Sequence, residues 1–164
     1  MRTLHLLRHA EAHWSSPGGG GDRGRPLSSR GVQQARGVGR HLRTAGIDLI
    51  LASSATRTLQ TAEALGLSVP VWSRDEIYDA GARDILAEIM TVPDDYHRVL
   101  VVGHAPGIPA LVHGLADASS DAGARAEIAY RYPPATLAGL VVHTSWTKLR
   151  AATLTEARLA PEPG

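Results

Sequence analysis

The sequence predicts an α/β protein of three layers, in which helices cover both faces of a mostly parallel central sheet. Three short apolar runs, each bounded by polar or glycine residues, have the character of buried strands: residues 3–7, 49–52 and 99–102. Between and after them, apolar residues recur at helical intervals in four segments: residues 32–42, 59–65, 85–90 and 108–115. Strands that alternate with helices favour parallel pairing, because each helix returns the chain to the start of the next strand.

The C-terminal third departs from this alternation. Residues 138–143 and 149–156 predict two further strands, joined through residues 144–148. No internal repeat is visible. We therefore expect a single domain over residues 1–160, followed by a frayed tail at residues 161–164.

Two segments predict loops. Residues 16–26 hold four consecutive glycines and two prolines, a composition that disfavours regular structure. Residues 116–126 are small and polar. The glycine run is not a phosphate-binding loop, since it lacks the Gly-Lys-Ser/Thr ending, and we interpret it as a rim or lid over a site.

Composition and charge exclude several classes of function. The net charge of +1 gives no electrostatic case for nucleic acid or an anionic membrane as partner. No apolar run approaches the roughly 20 residues that span a bilayer. Arg8 and His9 interrupt the N-terminal apolar run, so we expect no signal peptide, whose apolar core needs about 7–15 residues.

The sequence contains no cysteine, which removes disulfides, thiolate metal ligands and a cysteine nucleophile together. The histidines form no metal-binding motif such as His-Glu-x-x-His. We therefore expect no metal site of these kinds, and a cytoplasmic location.

Basic side chains follow each of the three central strands. Arg8 and His9 come directly after the first, Arg57 falls in the first turn of the helix after the second, and His104 follows the third. Because ligands of open α/β sheets bind beyond the carboxyl ends of the strands, these residues are expected to converge on one site. A cation at a helix N-terminus is unfavourable, and an anion bound beside Arg57 would relieve the conflict.

These residue types suit a phosphoryl group. The planar fork of arginine matches phosphate oxygens, and a neutral imidazole attacks phosphorus when one ring nitrogen is held as N–H and the other is free. We predict His9 as the nucleophile, with Arg8 and Arg57 as phosphate ligands. His104, if protonated, adds positive charge, and Arg25 is a third candidate clamp.

Four blocks of sequence resemble the histidine phosphatase superfamily, which includes the cofactor-dependent phosphoglycerate mutases. Leu-Arg-His-Ala-Glu at residues 7–11 is similar to its Arg-His-Gly/Ala signature, and residues 25–35, 53–62 and 101–106 resemble the blocks that follow. The short chain and the Arg-Pro-Leu at residues 25–27 look most like SixA-type phosphohistidine phosphatases.

The resemblance implies a phosphoglycerate mutase-like fold and phosphorylation of His9. It also implies that Arg8, Arg57 and His104 bind the phosphoryl group with help from Arg25, without a metal or organic cofactor. Many members that cleave alkyl phosphates place a glutamate acid between the second arginine block and the second histidine block. Asp79 is the best match to that proton donor, and Glu76 is its rival.

The identity of the acid affects the substrate. An alkoxide leaving group needs a proton donor, whereas imidazole, with a pKa of about 6.5, leaves more easily. The leading hypothesis is a phosphatase acting on protein phosphohistidine. The alternatives are a phosphatase for small phosphorylated metabolites, a mutase, for which the short chain lacks an enclosing cap, and a phosphate-recognition module without turnover. The oligomeric state is left open.

Overall fold

Six strands form one sheet in the computed structural model, which describes residues 1–161. They are β1 (Arg2–Arg8), β2 (Leu49–Ser53), β3 (Val71–Arg74), β4 (Arg98–Gly103), β5 (Leu137–Val142) and β6 (Thr153–Arg158). Their order across the sheet is β3-β2-β4-β1-β5-β6. The pairs β3–β2, β2–β4 and β4–β1 are parallel, and β5 is antiparallel to both β1 and β6.

Five helices connect or follow the strands. They are α1 (Ser29–Leu42), α2 (Thr56–Ala64), α3 (Ala82–Met90), α4 (Gly107–Leu115) and α5 (Ala122–Glu127). Three short 3-10 turns lie at Gly21–Gly24, Asp75–Ile77 and Trp146–Lys148. Ser28 caps α1, since its hydroxyl accepts a hydrogen bond from the Gly31 amide at 3.0 Å.

Successive strand residues are directed to opposite faces of the sheet, and each face has its own apolar core. Leu49 and Leu51 of β2 pack in the cluster that includes α3 and α4, whereas Ile50 and Ala52 pack in the cluster that includes α1 and α2. This is the predicted three-layer α/β/α architecture. Full burial of each large aliphatic side chain stabilises the fold by about 1.5–3 kcal/mol.

The predicted central elements are confirmed, but the less apolar ones differ. Strand β3 was not predicted, because an edge strand with alternating exposed and half-buried residues lacks a continuous apolar run. The last strand begins at Thr153, four residues later than expected. The predicted loop at residues 116–126 is wrong in part: Asp121 caps α5, and its carboxylate accepts the Ala124 amide at 2.8 Å.

Other expectations concern the glycine-rich segment and the chain end. The segment at residues 16–26 is mostly irregular, as predicted, but it contains the 3-10 turn Gly21–Gly24. Of the predicted tail at residues 161–164, residues 162–164 lie outside the part of the chain that the structure describes. Within residues 1–161, no helix combines the length and apolar character needed to cross a membrane.

Candidate active site

The predicted catalytic residues meet at the carboxyl edge of the parallel strands. Arg8 ends β1 and His9 follows it, while His104 directly follows β4. The pairing of Arg8 with Gly103 and a hydrogen bond from the His9 amide to the Gly103 carbonyl at 2.9 Å bring the two strand ends side by side. Arg57 is the second residue of α2, which follows β2.

These four residues line a cavity of about 690 Å³ together with residues from the surrounding loops. We call Arg8, His9, Arg57 and His104 the floor of the cavity. We call four other lining residues its rim: Trp14, Asp22, Arg25 and Asp79. Three of the floor residues are buried and Arg8 is half-buried, whereas Trp14, Asp22 and Asp79 are exposed and Arg25 is half-buried. Every residue in the predicted site therefore lines one cavity.

The His9 ring has one nitrogen fixed as a donor. Its Nδ1 lies 2.7 Å from the Ala10 carbonyl oxygen, which can only accept, so Nδ1 carries the hydrogen and Nε2 keeps its lone pair. Burial lowers the pKa of His9 to about 4, and the charges of Arg57, Arg8 and Arg25 act in the same direction. His9 is therefore a neutral imidazole at pH 7.

His104 lies beside His9, with ring centroids 5.4 Å apart. Its Nε2 shares a hydrogen bond with the Ser53 hydroxyl at 2.8 Å, while its Nδ1 is buried with no hydrogen-bond partner among residues 1–161. Burial lowers the pKa of His104 to about 3, aided by His9 and Arg57. His104 is thus neutral at pH 7 in these surroundings, and it becomes a cation only if a bound anion raises its pKa.

The two floor arginines are held by backbone carbonyls. Arg8 Nη1 donates to the Tyr132 carbonyl at 2.9 Å, and Arg57 Nη1 donates to the Asp22 carbonyl at 2.7 Å. In each guanidinium, Nε is buried without a hydrogen-bond partner in the described part of the chain. Burial and the neighbouring Arg57 charge lower the pKa of Arg8. The floor therefore concentrates positive charge and unused donors, which an oxyanion would satisfy.

The rim carries the third arginine and the candidate acid. Arg25 lies with its guanidinium carbon 5.9 Å from the centroid of the Trp14 ring, and its charge contributes to the lowered pKa of His9. Asp79 lines the cavity from a left-handed backbone conformation, with φ of 50°. Glu76 does not line the cavity, and its charge instead helps burial to raise the pKa of Glu88.

Several residues around the site were not identified from the sequence. Ser53 directly follows a predicted strand, which is a signal for a site residue, but its contact with His104 depends on packing between β2 and β4. Asp22 directly follows the glycine run, but no feature of the sequence predicts its contacts with Arg57 and Tyr78. The Tyr132 carbonyl that accepts from Arg8 lies 124 residues away in the chain and left no sequence signal.

The arrangement can bind a phosphoryl dianion between the guanidinium groups and present the His9 Nε2 lone pair to phosphorus. Across residues 1–161, no group of three or more histidine, aspartate or glutamate side chains could hold a metal ion. Arg8, Arg25 and Arg57 supply positive charge to the cavity.

Comparison with known proteins gives concordant matches. A sequence model of the histidine phosphatase superfamily (branch 1) matches residues 4–85. An uncharacterized protein of Mycobacterium tuberculosis, Rv1276c, is 35% identical over 143 residues, which cover 85% of this chain and 89% of the relative.

Two solved structures share most of the chain. A candidate phosphohistidine phosphatase SixA from Nakamurella multipartitia is 39% identical with a TM-score of 0.86, covering 97% of this chain and 96% of that one. Its counterpart from Agrobacterium tumefaciens, also a candidate SixA, is 28% identical with a TM-score of 0.79, covering 98% of both chains.

Proposed function

The chain belongs to the histidine phosphatase superfamily and is a hydrolase of phosphoryl groups; we propose that it acts through a phosphohistidine intermediate on His9 and that its substrate is phosphohistidine on a protein. Its fold is the phosphoglycerate mutase-like fold that the resemblance implied. The observation that carries the proposed mechanism is the His9 tautomer: Nδ1–H donates to the Ala10 carbonyl, and the free Nε2 belongs to a neutral ring in an arginine-lined cavity.

The first step transfers the phosphoryl group to the enzyme. Arg8, Arg57 and Arg25 hold the phosphoryl oxygens, and the lone pair of His9 Nε2 forms a bond to phosphorus in line with the leaving group. The bond from phosphorus to the substrate nitrogen breaks, and its electron pair stays on the departing imidazole, which takes a proton from solvent or from Asp79. The negative charge of the phosphoryl group raises the pKa of His104, so that this ring gains a proton and stabilises the equatorial oxygens.

The second step regenerates the enzyme. A water molecule attacks the phosphorus of phospho-His9, the bond from phosphorus to Nε2 breaks, and the water proton leaves with solvent or the Asp79 carboxylate. His9 returns to its neutral form, and inorganic phosphate is released. Over the two steps, phosphohistidine and water become histidine and phosphate.

The surroundings of the cavity favour a protein side chain as substrate. Between α2 and β4 the chain contributes only β3, the turn Asp75–Ile77 and α3, which leaves no large insertion to build a cap. A site without a cap admits a side chain carried on another protein, whereas a mutase must enclose its substrate during transfer. The likeness to candidate SixA proteins points the same way. We also propose a cytoplasmic location, which a sequence without cysteine favours.

A second candidate function rests on Asp79. Because this carboxyl group lines the cavity, it can protonate an alkoxide, and hydrolysis of small phosphomonoesters is the alternative. The test measures phosphate release from phosphohistidine and from glycerol phosphate, whose leaving group is an alkoxide, in a chelator-treated buffer. We expect wild type to prefer phosphohistidine and His9→Ala to lose turnover of both substrates.

His113→Ala is the matched control for that assay, since His113 is exposed on α4 and does not line the cavity. It should retain wild-type activity. Activity of His9→Ala comparable to wild type would refute the mechanism. Faster hydrolysis of the ester than of phosphohistidine by wild type would replace the proposed substrate with the phosphomonoester.

A further inference from the structure

The glycine-rich segment carries an acidic side chain into the cavity. Gly19, Gly20 and Gly21 have φ values of 89°, 94° and 60°, a left-handed course that glycine adopts readily. The 3-10 turn that starts at Gly21 then places Asp22 among the lining residues of the cavity. An exposed loop thus delivers a carboxylate to the part of the cavity that Arg25 and Arg57 line.

Asp22 accepts two hydrogen bonds from Arg57, one of the two floor arginines. Arg57 Nη1 donates to the Asp22 backbone oxygen at 2.7 Å, and Nη2 donates to the Asp22 carboxylate at 3.2 Å. The Tyr78 hydroxyl donates to the same carboxylate oxygen, Oδ2. The other oxygen, Oδ1, lies 3.7 Å from Arg25 Nε. One carboxylate therefore contacts two of the three cations that phosphate would use.

The carboxylate is ionised in this position. The Tyr78 hydroxyl lowers the pKa of Asp22, with Arg57 and Arg25 acting in the same direction. Its interaction with Arg57 is accordingly a charge-assisted one, of the same kind as an arginine–phosphate contact. A phosphoryl dianion that approaches the Arg57 guanidinium would find Nη1 and Nη2 already donating to Asp22. It would also be repelled by the negative charge of the Asp22 carboxylate.

We infer that Asp22 competes with phosphate for Arg57 and Arg25. Binding of the phosphoryl group displaces the carboxylate from Arg57, and its return after hydrolysis helps to release the product. This inference rests on the proposed use of the cavity as a phosphate site, and it adds a residue that sets phosphate affinity. Asp22 acts through the arginines and is a positioning residue.

Contacts outside the cavity favour the position in which Asp22 meets Arg57. Arg23, the next residue, pairs with Asp75 and hydrogen-bonds to the Ser54 hydroxyl on the outer side of the loop. Its guanidinium carbon also lies 5.0 Å from the centroid of the Tyr78 ring. Arg23, Asp75, Ser54 and Tyr78 are exposed or half-exposed, so these outer contacts stabilise that position only weakly, and the main interaction that a dianion must replace is the one with the buried Arg57.

The test is direct binding of inorganic phosphate, measured by isothermal titration calorimetry on the whole chain. Asp22→Asn keeps the size of the side chain and removes its charge, and we expect the Kd for phosphate to fall about three- to tenfold. Tyr78→Phe removes the hydroxyl that holds Oδ2 and keeps the ring beside His104, so the Kd should fall by a smaller factor.

Asp94→Asn is the charge-matched control, since Asp94 pairs with Arg2 at the opposite end of the sheet and should leave the Kd unchanged. An Asp22→Asn Kd equal to or higher than that of wild type would overturn the inference, as would equal tightening in Asp94→Asn. Calorimetry needs no turnover, so the proposed function can fail in the hydrolysis assay while the competition persists. Absence of phosphate binding in wild type and Asp22→Asn alike would overturn the competition.

Discussion

The floor and the rim of the cavity are built from different parts of the fold. Arg8, His9 and His104 lie at the ends of two neighbouring strands, and Arg57 lies in the first turn of the helix after a third, so the sheet itself fixes their spacing. The rim residues lie on the segments that connect strands and helices, with Asp22 in the 3-10 turn Gly21–Gly24. Arg57 and His104 are 4% exposed, whereas Trp14 is 93% exposed. Under the proposed function, the floor carries out the phosphoryl chemistry, and the rim adjusts phosphate affinity and leaving-group preference.

The floor and the rim also differ in how their charged groups are solvated. Burying guanidinium and imidazole groups together costs free energy, which shows in the lowered pKa values of His9 and His104 and the partnerless Nε atoms of Arg8 and Arg57. Rim charges stay hydrated and pair with one another at little cost. A phosphoryl dianion therefore interacts most favourably with the floor, where its negative charge offsets the repulsion between the Arg8 and Arg57 guanidinium groups.

The largest difference between floor and rim is expected in the loss of kcat/KM when an arginine of each region is replaced. Arg57→Ala should lower kcat/KM about 1000-fold, because a buried, preorganised donor to the phosphoryl oxygens is lost. Arg25→Ala should lower it only about tenfold, since Arg25 is partly hydrated and paired with Asp22. Steady-state kinetics with phosphohistidine measures both, and thermal unfolding checks that both variants fold. Equal losses would remove the distinction between floor and rim.

A smaller effect, confined to one class of substrate, is expected at Asp79. Asp79→Asn should slow hydrolysis of an alkyl phosphate such as glycerol phosphate about 100-fold, because an alkoxide needs a proton donor. The same variant should change phosphohistidine hydrolysis less than threefold, since imidazole is a good leaving group. Glu76→Gln is the matched control outside the cavity and should match wild type with both substrates. Equal losses on both substrates for Asp79→Asn would contradict a role limited to the leaving group.

The burial of the floor histidines should also appear in the dependence of stability on pH. Their folded pKa values, about 4 and about 3, lie below the unfolded value of about 6.5, so the unfolded state binds protons first as the pH falls. Stability present above pH 6.5 is therefore lost as the pH falls towards 4. Between pH 7 and pH 5 each histidine should contribute a loss of about 2 kcal/mol.

Urea unfolding of wild type and His9→Gln at these two pH values, in phosphate-free buffer, measures that loss. His9→Gln should lose about 2 kcal/mol less than wild type over the interval, because one buried titrating group has been removed. Identical pH dependence in the two proteins would mean that His9 is not a buried neutral imidazole in the folded state.

Sequence patterns predicted the floor much better than the rim. His9 and His104 each lie two residues after a predicted central strand, and Arg57 lies in the first turn of the helix after another, so parallel pairing alone brings them together. Asp22 meets Arg57 only because of the path that the glycine-rich loop takes, and local composition does not encode that path. The neutral state of His104 depends on the burial of its side chain, and the spacing of apolar residues in the sequence does not predict that burial.

The same reasoning explains which elements were missed. The core strands are apolar on both faces and stand out in the sequence, whereas β3 lies at the sheet edge and shows only Val71 and Trp72 as apolar residues. Helix α5 is six residues long and depends on the Asp121 cap and on packing of Ala124 and Ile128, so its small residues resemble those of a loop.

The central claim is that His9 carries the phosphoryl group, and trapping the intermediate tests it most directly. Wild type, His9→Ala and His113→Ala would each be mixed with a labelled phosphoryl donor, quenched in alkali within milliseconds and analysed for protein-bound label. We predict an alkali-stable, acid-labile phosphoryl group on His9 in wild type and in His113→Ala, and none in His9→Ala. Label on another residue, or undiminished labelling of His9→Ala, would contradict the account.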